Sequence, residues 1–598
     1  MESLLTTIDN VSGQVFDYVI IGGGTAGLVL AARLSEEPSK TVLVLEAGGA
    51  HLNDPLIDLP AGYGKFMGNP EYDWAFTTVP QKHSKDTSFF WPRGKGLGGS
   101  SAVNFYTWSR AEKEDINAWE RLGNPGWNWE NHLKYAIKSE TFVPASAEVA
   151  EKERQTHDPA VHGTDGPIVI GFPNTTSGWE VAMQDSLEAL GFPRLRDLQT
   201  GTLVGAGRVP STVDPRANTR TTSQDYLKLA VGRSNLKILV NASVARVLLG
   251  PTEDGGFVAS GVEFLFDGKT HVVSTSPSGE VILSAGTLKS PQILELSGIG
   301  DPAILEKIGV ETKVSLPAVG TNVQEHLFAG MAYEVNEPEK YNTIDELTDP
   351  AKVAEHMALY PDGKGLFTLG ISLLSWTSLK DISARAADIE ATAPTTSTTP
   401  GLTEQYAEQH ARIAEGAASA EYTTIPGFYS FPNPPTPGAK HVTLCSMLNR
   451  PFSRGTIHAT SADPLAPPAI DPHYFEEPAD LAAYVEQIKF ARRLARTAPF
   501  AAVLGKELNP GPAVASDAEL ARWLKKHMTT VHHTAGACAM LPRDRGGVVD
   551  PQLRVYGTTG LRVVDLSVVP LIPGAHTQSV VYAVAEQAAD VIKGVFVA

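Results

Sequence analysis

The first sustained pattern along the chain is a β-branched run, Tyr18 to Ile21, followed by glycines at 22, 24 and 27 that lead into the helical apolar spacing of Leu28 to Leu34. A second apolar run, Val42 to Leu45, ends in Glu46, nineteen residues after Gly27. Strand, tight turn, helix, strand and acid in this order form a dinucleotide-binding fingerprint. Gly22, Gly24 and Gly27, with Thr25 and Ala26 between them, let the backbone turn sharply and bring a pyrophosphate onto free amides at a helix N-terminus. Glu46, followed by Ala47, is placed to accept hydrogen bonds from ribose hydroxyls and argues against a 2′-phosphate. A plain glycine turn is the alternative for a lone GxGxxG, and the flanking strands and the acid weigh against it.

Later patterns add to this unit. Leu236 to Val240 and Val244 to Leu249 are β-rich, and Val281 to Leu283 followed by Ser284-Ala285-Gly286 repeats the order of strand and glycine turn. Residues 48 to 85 show no sustained period and predict an extended loop across a surface. Asp480 to Thr497 has apolar residues at helical spacing, which predicts a scaffold helix with its arginines turned to solvent. The Ala/Thr/Ser/Pro-rich stretch from Ala391 to Ala420 predicts a surface insertion.

Composition narrows the class. With 598 residues, 42% of them hydrophobic and 19% charged, the chain fits several compact units with large cores. The net charge of -18 leaves no basic stripe for a phosphate backbone, so neither nucleic acid nor an anionic membrane surface is an expected partner. No run of eighteen uncharged apolar residues occurs, so no bilayer span is expected. The N-terminus shows neither a basic nor an apolar leader region, which leaves an intracellular protein or a processed exported form. Two cysteines, Cys445 and Cys538, are too few for a disulfide framework. No metal site is expected, and a monomer or weak homodimer is.

A second glycine block, WPRGKGLGGSSAVNFYTWSR at Trp91 to Arg110, would let backbone amides approach a flat or anionic ligand. Here the chain resembles the glucose-methanol-choline (GMC) oxidoreductases, FAD enzymes that oxidise alcohols. The resemblance is carried by the fingerprint, by LGGSSAVN and by HGTDGPI at His162 to Ile168. It continues through NTRTTSQDYL at Asn218 to Leu227, GEVILSAGTLKSPQILELSGIG at Gly279 to Gly300 and LPAVGTNVQEH at Leu316 to His326. RPFSRG at Arg450 to Gly455 and IDPHYF at Ile470 to Phe475 complete it.

The resemblance implies an α/β fold: a Rossmann-like FAD-binding domain with a second, α+β substrate-binding domain on a mostly antiparallel sheet. Residues 14–330 would be mainly the FAD domain, interleaved with substrate-domain segments around 50–90 and 150–220. Residues 331–525 would be mainly the substrate domain, with a variable insertion around 340–440 that could cover the active-site entrance. Residues 526–598 would return to the FAD domain. For FAD, the resemblance implies contacts from Gly98, Gly99, Ser100 and Asn104 along the ring, from Phe105, and from the backbone of Val244 at the adenine. Ala285, Gly286, Asp565, Leu566 and Thr577 would complete the set. Val103 stands where some relatives attach FAD through a histidine, so dissociable FAD is expected.

Two histidines near glycine breaks, in TTVHHTAGACAM and PGAHTQSVVYAVAE, are the candidate chemistry. A lone buried histidine is more often a core residue than a catalyst. Aligned on Gly536, His533 falls at the family's catalytic base and His576 at its second polar position. A slip of one residue would make His532 the base instead. Neutral imidazole suits removal of a hydroxyl proton because its pKa lies near operating pH. Phe105, His532, His533 and His576 would then line the substrate site, and an aromatic wall favours primary aromatic, allylic or furanic alcohols over hydrated sugars. Core packing is the alternative for Phe105 and Tyr106. The expected electron acceptor is O2, reduced to hydrogen peroxide. The competing readings are an alcohol dehydrogenase that passes electrons to quinones and a lyase or cyclase that keeps FAD only as structure.

Overall fold

The computed structural model describes residues 1–253 and 255–596. Its first sheet starts from the fingerprint. Val15–Ile21 lies parallel to Val42–Leu45, with Tyr18 opposite Val42, and Leu236–Leu239 continues the sheet on the far side of Val42–Leu45. On the other flank Val15–Ile21 pairs in parallel with the end of Lys269–Leu283, which also pairs with Leu561–Val563. Val42 to Leu45 and Val281 to Leu283 are wholly buried, as strands covered on both faces must be.

Lys269–Leu283 joins two kinds of sheet. Its first half is the last strand of an antiparallel meander with Ser243–Pro251 and Phe257–Phe266, and its second half is a parallel strand of the nucleotide fold. Helices Thr25–Leu34 and Gln578–Ile592 pack on each other although more than five hundred residues separate them. The Arg33 guanidinium, 2.7 Å from the fully buried Glu586 carboxylate, ties the two together.

The second sheet is antiparallel and runs in the order Leu504–Glu507, Leu327–Val335, His441–Leu448, Ala420–Ile425, Leu373–Thr377, Gly205–Arg208. Helix Pro478–Ala495 covers it, close to the helix predicted from Asp480 to Thr497.

Three sequence expectations change. Arg492 of that helix is buried, not solvated: it pairs with Glu507 at 2.7 Å and donates to the carbonyls of Val514 and Gly511. The stretch from Ala391 to Ala420 is not a surface insertion throughout. It contains helix Leu402–Glu415, whose buried Arg412 reaches Asp115 at 3.0 Å, and it runs into a central strand of the second sheet. Residues 48 to 85 are not a loop lying on a surface, because Tyr63, Phe66, Tyr72 and Phe76 are buried and Phe76–Thr77 forms a short hairpin with Phe90–Trp91. In each case tertiary burial overrides a composition that reads as exposed.

Candidate active site

One cavity runs between the two sheets. Its walls include Gly22, Gly24, Thr25, Ala26, Glu46, Ala47, Gly99, Ser100, Asn104 and Phe105. They also include Val244, Ala285, Gly286, Asp565, Leu566 and Thr577, and the three histidines His532, His533 and His576. Of the residues singled out in the sequence, Gly27 and Gly98 do not line it. Gly27 serves the turn: a Cβ there would stand 1.9 Å from the Gly22 carbonyl oxygen. Gly98 donates its N–H to the Gly23 carbonyl and so joins the two glycine loops.

The nucleotide end is a backbone cradle. Gly99, at φ +51°, approaches Gly24 so closely that a Cβ would lie 2.7 Å from the Gly24 Cα. No side chain caps helix Thr25–Leu34, so its first-turn amides stand open beside that contact. A closely approached glycine pair and uncapped amides fit the diphosphate and flat ring of FAD.

Two acids in the cradle do more than the sequence suggested. Glu46 accepts N–H bonds from Gly23 at 2.7 Å, Gly48 at 2.7 Å and Gly96 at 3.1 Å, so its carboxylate locks three glycine segments together as well as lining the groove. Asp565 accepts from the Gly286 amide at 2.9 Å, the Ser290 hydroxyl at 2.6 Å and the Ser567 amide at 2.8 Å. It thereby holds the start of helix Gly286–Leu296, and burial pushes its pKa up. Asn104 is fixed from behind by Arg220, a buried guanidinium that also donates to the Ser101 and Asn104 carbonyls.

At the other end, the His533 and His576 rings stand 5.0 Å apart with planes at 61°. His576 Nε2 is 2.6 Å from Glu421, whose other oxygen accepts from Asn449. His533 Nδ1 faces His326 Nδ1 at 2.9 Å. Glu325 accepts the backbone N–H of His533 at 2.8 Å, not its ring, and also takes the Thr534 hydroxyl. Burial, reinforced by His576, His326, His532 and Arg93, holds His533 well below the ordinary imidazole range. A ring without a carboxylate at its nitrogens is thus kept neutral. His532 takes the left-handed backbone, φ 67°, and burial lowers its pKa to about 3. Its buried Nδ1 has no hydrogen-bond partner among the described residues.

Phe105 lines the chamber and packs edge-on against Tyr429, which does the same against Phe328. Tyr106 is the more deeply packed of the pair, with its hydroxyl on the Leu369 carbonyl at 3.1 Å.

Residues 16–328 and 451–585 match the two family profiles described as GMC oxidoreductase. The chain belongs to the GMC oxidoreductases. It is 37% identical to the dehydrogenase citC of Monascus ruber, over 97% of this chain and 96% of that one. Among solved structures, an FAD-dependent oxidoreductase from Chaetomium thermophilum superposes with a TM-score of 0.88 at 29% identity, covering 97% and 99% of the two chains. A fungal aryl-alcohol oxidase superposes at 0.85 with 30% identity and the same coverage.

In this GMC oxidoreductase, sequence reasoning missed Glu421, His326, Glu325 and Arg93. Glu421 carried little signal in the sequence AEYTTI; only the burial of that strand along its whole length shows that its carboxylate must have a buried partner. Glu325 and His326 end a motif whose family likeness was plain but whose chemistry was not.

Proposed function

We propose that this GMC oxidoreductase, with FAD as its cofactor, oxidises primary aromatic, allylic or furanic alcohols to aldehydes. The observation that carries the reading is His533, half-buried and with its pKa held low, beside His576 at the end of an apolar chamber walled by Phe105, Phe328, Ile371, Leu374 and Tyr429. Such walls bury a flat ring well and a hydrated sugar poorly. The aryl-alcohol oxidase likeness supports the same substrate class.

His533 takes the hydroxyl proton at Nε2, the nitrogen left over once Nδ1 is turned to His326. His576 already directs Nε2 at the Glu421 carboxylate, so it donates from Nδ1 to the developing alkoxide only as an imidazolium whose charge Glu421 balances. Phe105 and Tyr429 orient the ring, and the dry wall keeps water from competing for the proton. FAD held in the glycine cradle would supply the two-electron acceptor for the hydride, with oxygen as the final acceptor and hydrogen peroxide as its product. The dehydrogenases among the relatives support a second reading, in which a quinone takes the electrons. Peroxide formation compared with dye reduction separates the two.

His533→Ala tests the assignment. The variant is expected to keep FAD yet lose anaerobic flavin reduction by alcohol roughly 10²- to 10⁴-fold. Near-normal reduction, or a loss confined to His576→Ala, overturns it. The FAD is dissociable in this reading, with Val103 ahead of Asn104, so denaturation is expected to release all the yellow colour from the chain.

A further inference from the structure

The contact between His326 and His533 joins two Nδ1 atoms, and it exists in only two senses. If His326 donates, the proton of neutral His533 sits on Nε2, and no lone pair faces the alcohol. If His533 donates, Nε2 is bare and can act as a base. Only the second sense leaves a base for the alcohol. His326 is fully buried, and its Nε2 has no hydrogen-bond partner among the described residues. When His533 donates, the proton of neutral His326 lies on that Nε2 and its lone pair is on Nδ1.

We propose that His326 is a positioning residue that holds the proton of His533 on Nδ1 and so leaves Nε2 bare to receive the hydroxyl proton; this rests on the reading of His533 as the base.

An imidazole in this place differs from the carboxylate that usually orients a catalytic histidine. His533 is faced by His326, His576, His532 and Arg93, and the carboxylate beside it among the described residues, Glu325, is spent on its backbone N–H, on Thr534 and on Arg93. His326 in turn is influenced by His576, Arg450 and Asp115, and burial lowers its pKa to about 3. It therefore accepts a hydrogen bond without adding negative charge. No anion invites a resident proton onto His533, so the base stays empty into the acid range. Once His533 has taken the hydroxyl proton, its Nδ1–H bond to His326 becomes charge-assisted and so strengthens during the reaction.

The test uses the FAD-loaded enzyme with His326→Leu, His326→Asn and His326→Asp, read by anaerobic flavin reduction against pH. A second readout is the ¹⁵N spectrum of the histidine-labelled enzyme, with the His533 signal assigned by its loss in His533→Ala. The wild-type His533 is expected to carry its proton on Nδ1. His326→Leu is expected to lose about ten- to hundredfold in reduction rate and the single tautomer. His326→Asn, whose amide oxygen can stand in for the acceptor, is expected to restore most of both. His326→Asp is expected to move the acid limb of the profile to higher pH, because its charge holds a proton on His533. A wild-type signal with the proton on Nε2 overturns the inference, and so does a leucine variant that keeps the wild-type rate and pH profile. Should the leucine variant not fold, the wild-type spectrum and the asparagine and aspartate variants decide. If His533→Ala itself is reduced normally by alcohol, it is the assignment of the base that has failed.

Discussion

Two histidines in this protein sit in opposite electrostatic settings. His162 lies between carboxylates, with Nδ1 2.9 Å from Glu140 and Nε2 2.9 Å from Asp197. Arg110 approaches the same Glu140 at 2.9 Å, and Trp108 donates to it at 2.8 Å. Carboxylates accept only, so both ring nitrogens of His162 donate and the ring is an imidazolium; its pKa is raised although burial alone would lower it. His533 is half-buried in the cavity wall and meets imidazoles and a guanidinium, and its pKa is held low. Burial therefore does not set protonation by itself. The sign and direction of the neighbours do, and they separate a structural histidine from a candidate base.

The largest effect that would sharpen this contrast is loss of the central cation. His162→Leu leaves Glu140 and Asp197 buried with less compensation, at an expected cost of about 3–5 kcal/mol in chemical denaturation, while alcohol reduction per folded, FAD-loaded molecule stays normal. A variant as stable as the parent breaks the comparison. Next is Glu421→Gln, which removes the charge beside His576 but keeps an acceptor. Turning a charge-assisted hydrogen bond into a neutral one forfeits about half its strength, on the order of 1–1.5 kcal/mol, so a roughly tenfold slower reduction is expected, with stability little changed.

A pH titration of stability probes the His162 knot without mutation. Because the folded pKa of His162 is raised, its contribution is complete below the ordinary histidine pKa and is lost as pH rises through the folded value. Glu140 and Asp197 are lowered, so their contribution is present above the ordinary carboxylate range and is lost on acidification through their folded values. The difference in stability between the parent and His162→Leu should therefore shrink at alkaline pH; a difference independent of pH would mean that His162 carries no charge. The smallest effect is expected from His532→Phe. His532 depresses the His533 pKa less than burial, His576 and His326 do, so the acid limb of the reduction profile should rise only slightly while preference among ring-substituted alcohols changes.

The two ends of the cavity were not equally legible in the chain. The nucleotide cradle is made by backbone within a few residues of each glycine: Gly22 to Gly27 is one turn, Gly98 to Asn104 another, and the spacing to Glu46 is set by one helix and one strand. Local spacing therefore determined it, together with the parallel sheet beneath. The positions of His533 and His576 could also be read, because each sits beside a glycine break in a motif.

Their partners could not. Glu421 reaches His576 from 155 residues away and His326 reaches His533 from 207, each from a strand or strand end of the antiparallel sheet. Only the packing of that sheet against the nucleotide domain brings these atoms within hydrogen-bond distance. A hydrogen bond depends on separations of a few tenths of an ångström, and no periodicity along a chain encodes those between segments this far apart. The chain alone thus determined where a dinucleotide would lie and which histidines stand near it. The tertiary structure decided which imidazole and which carboxylate face them, because those partners come from distant segments.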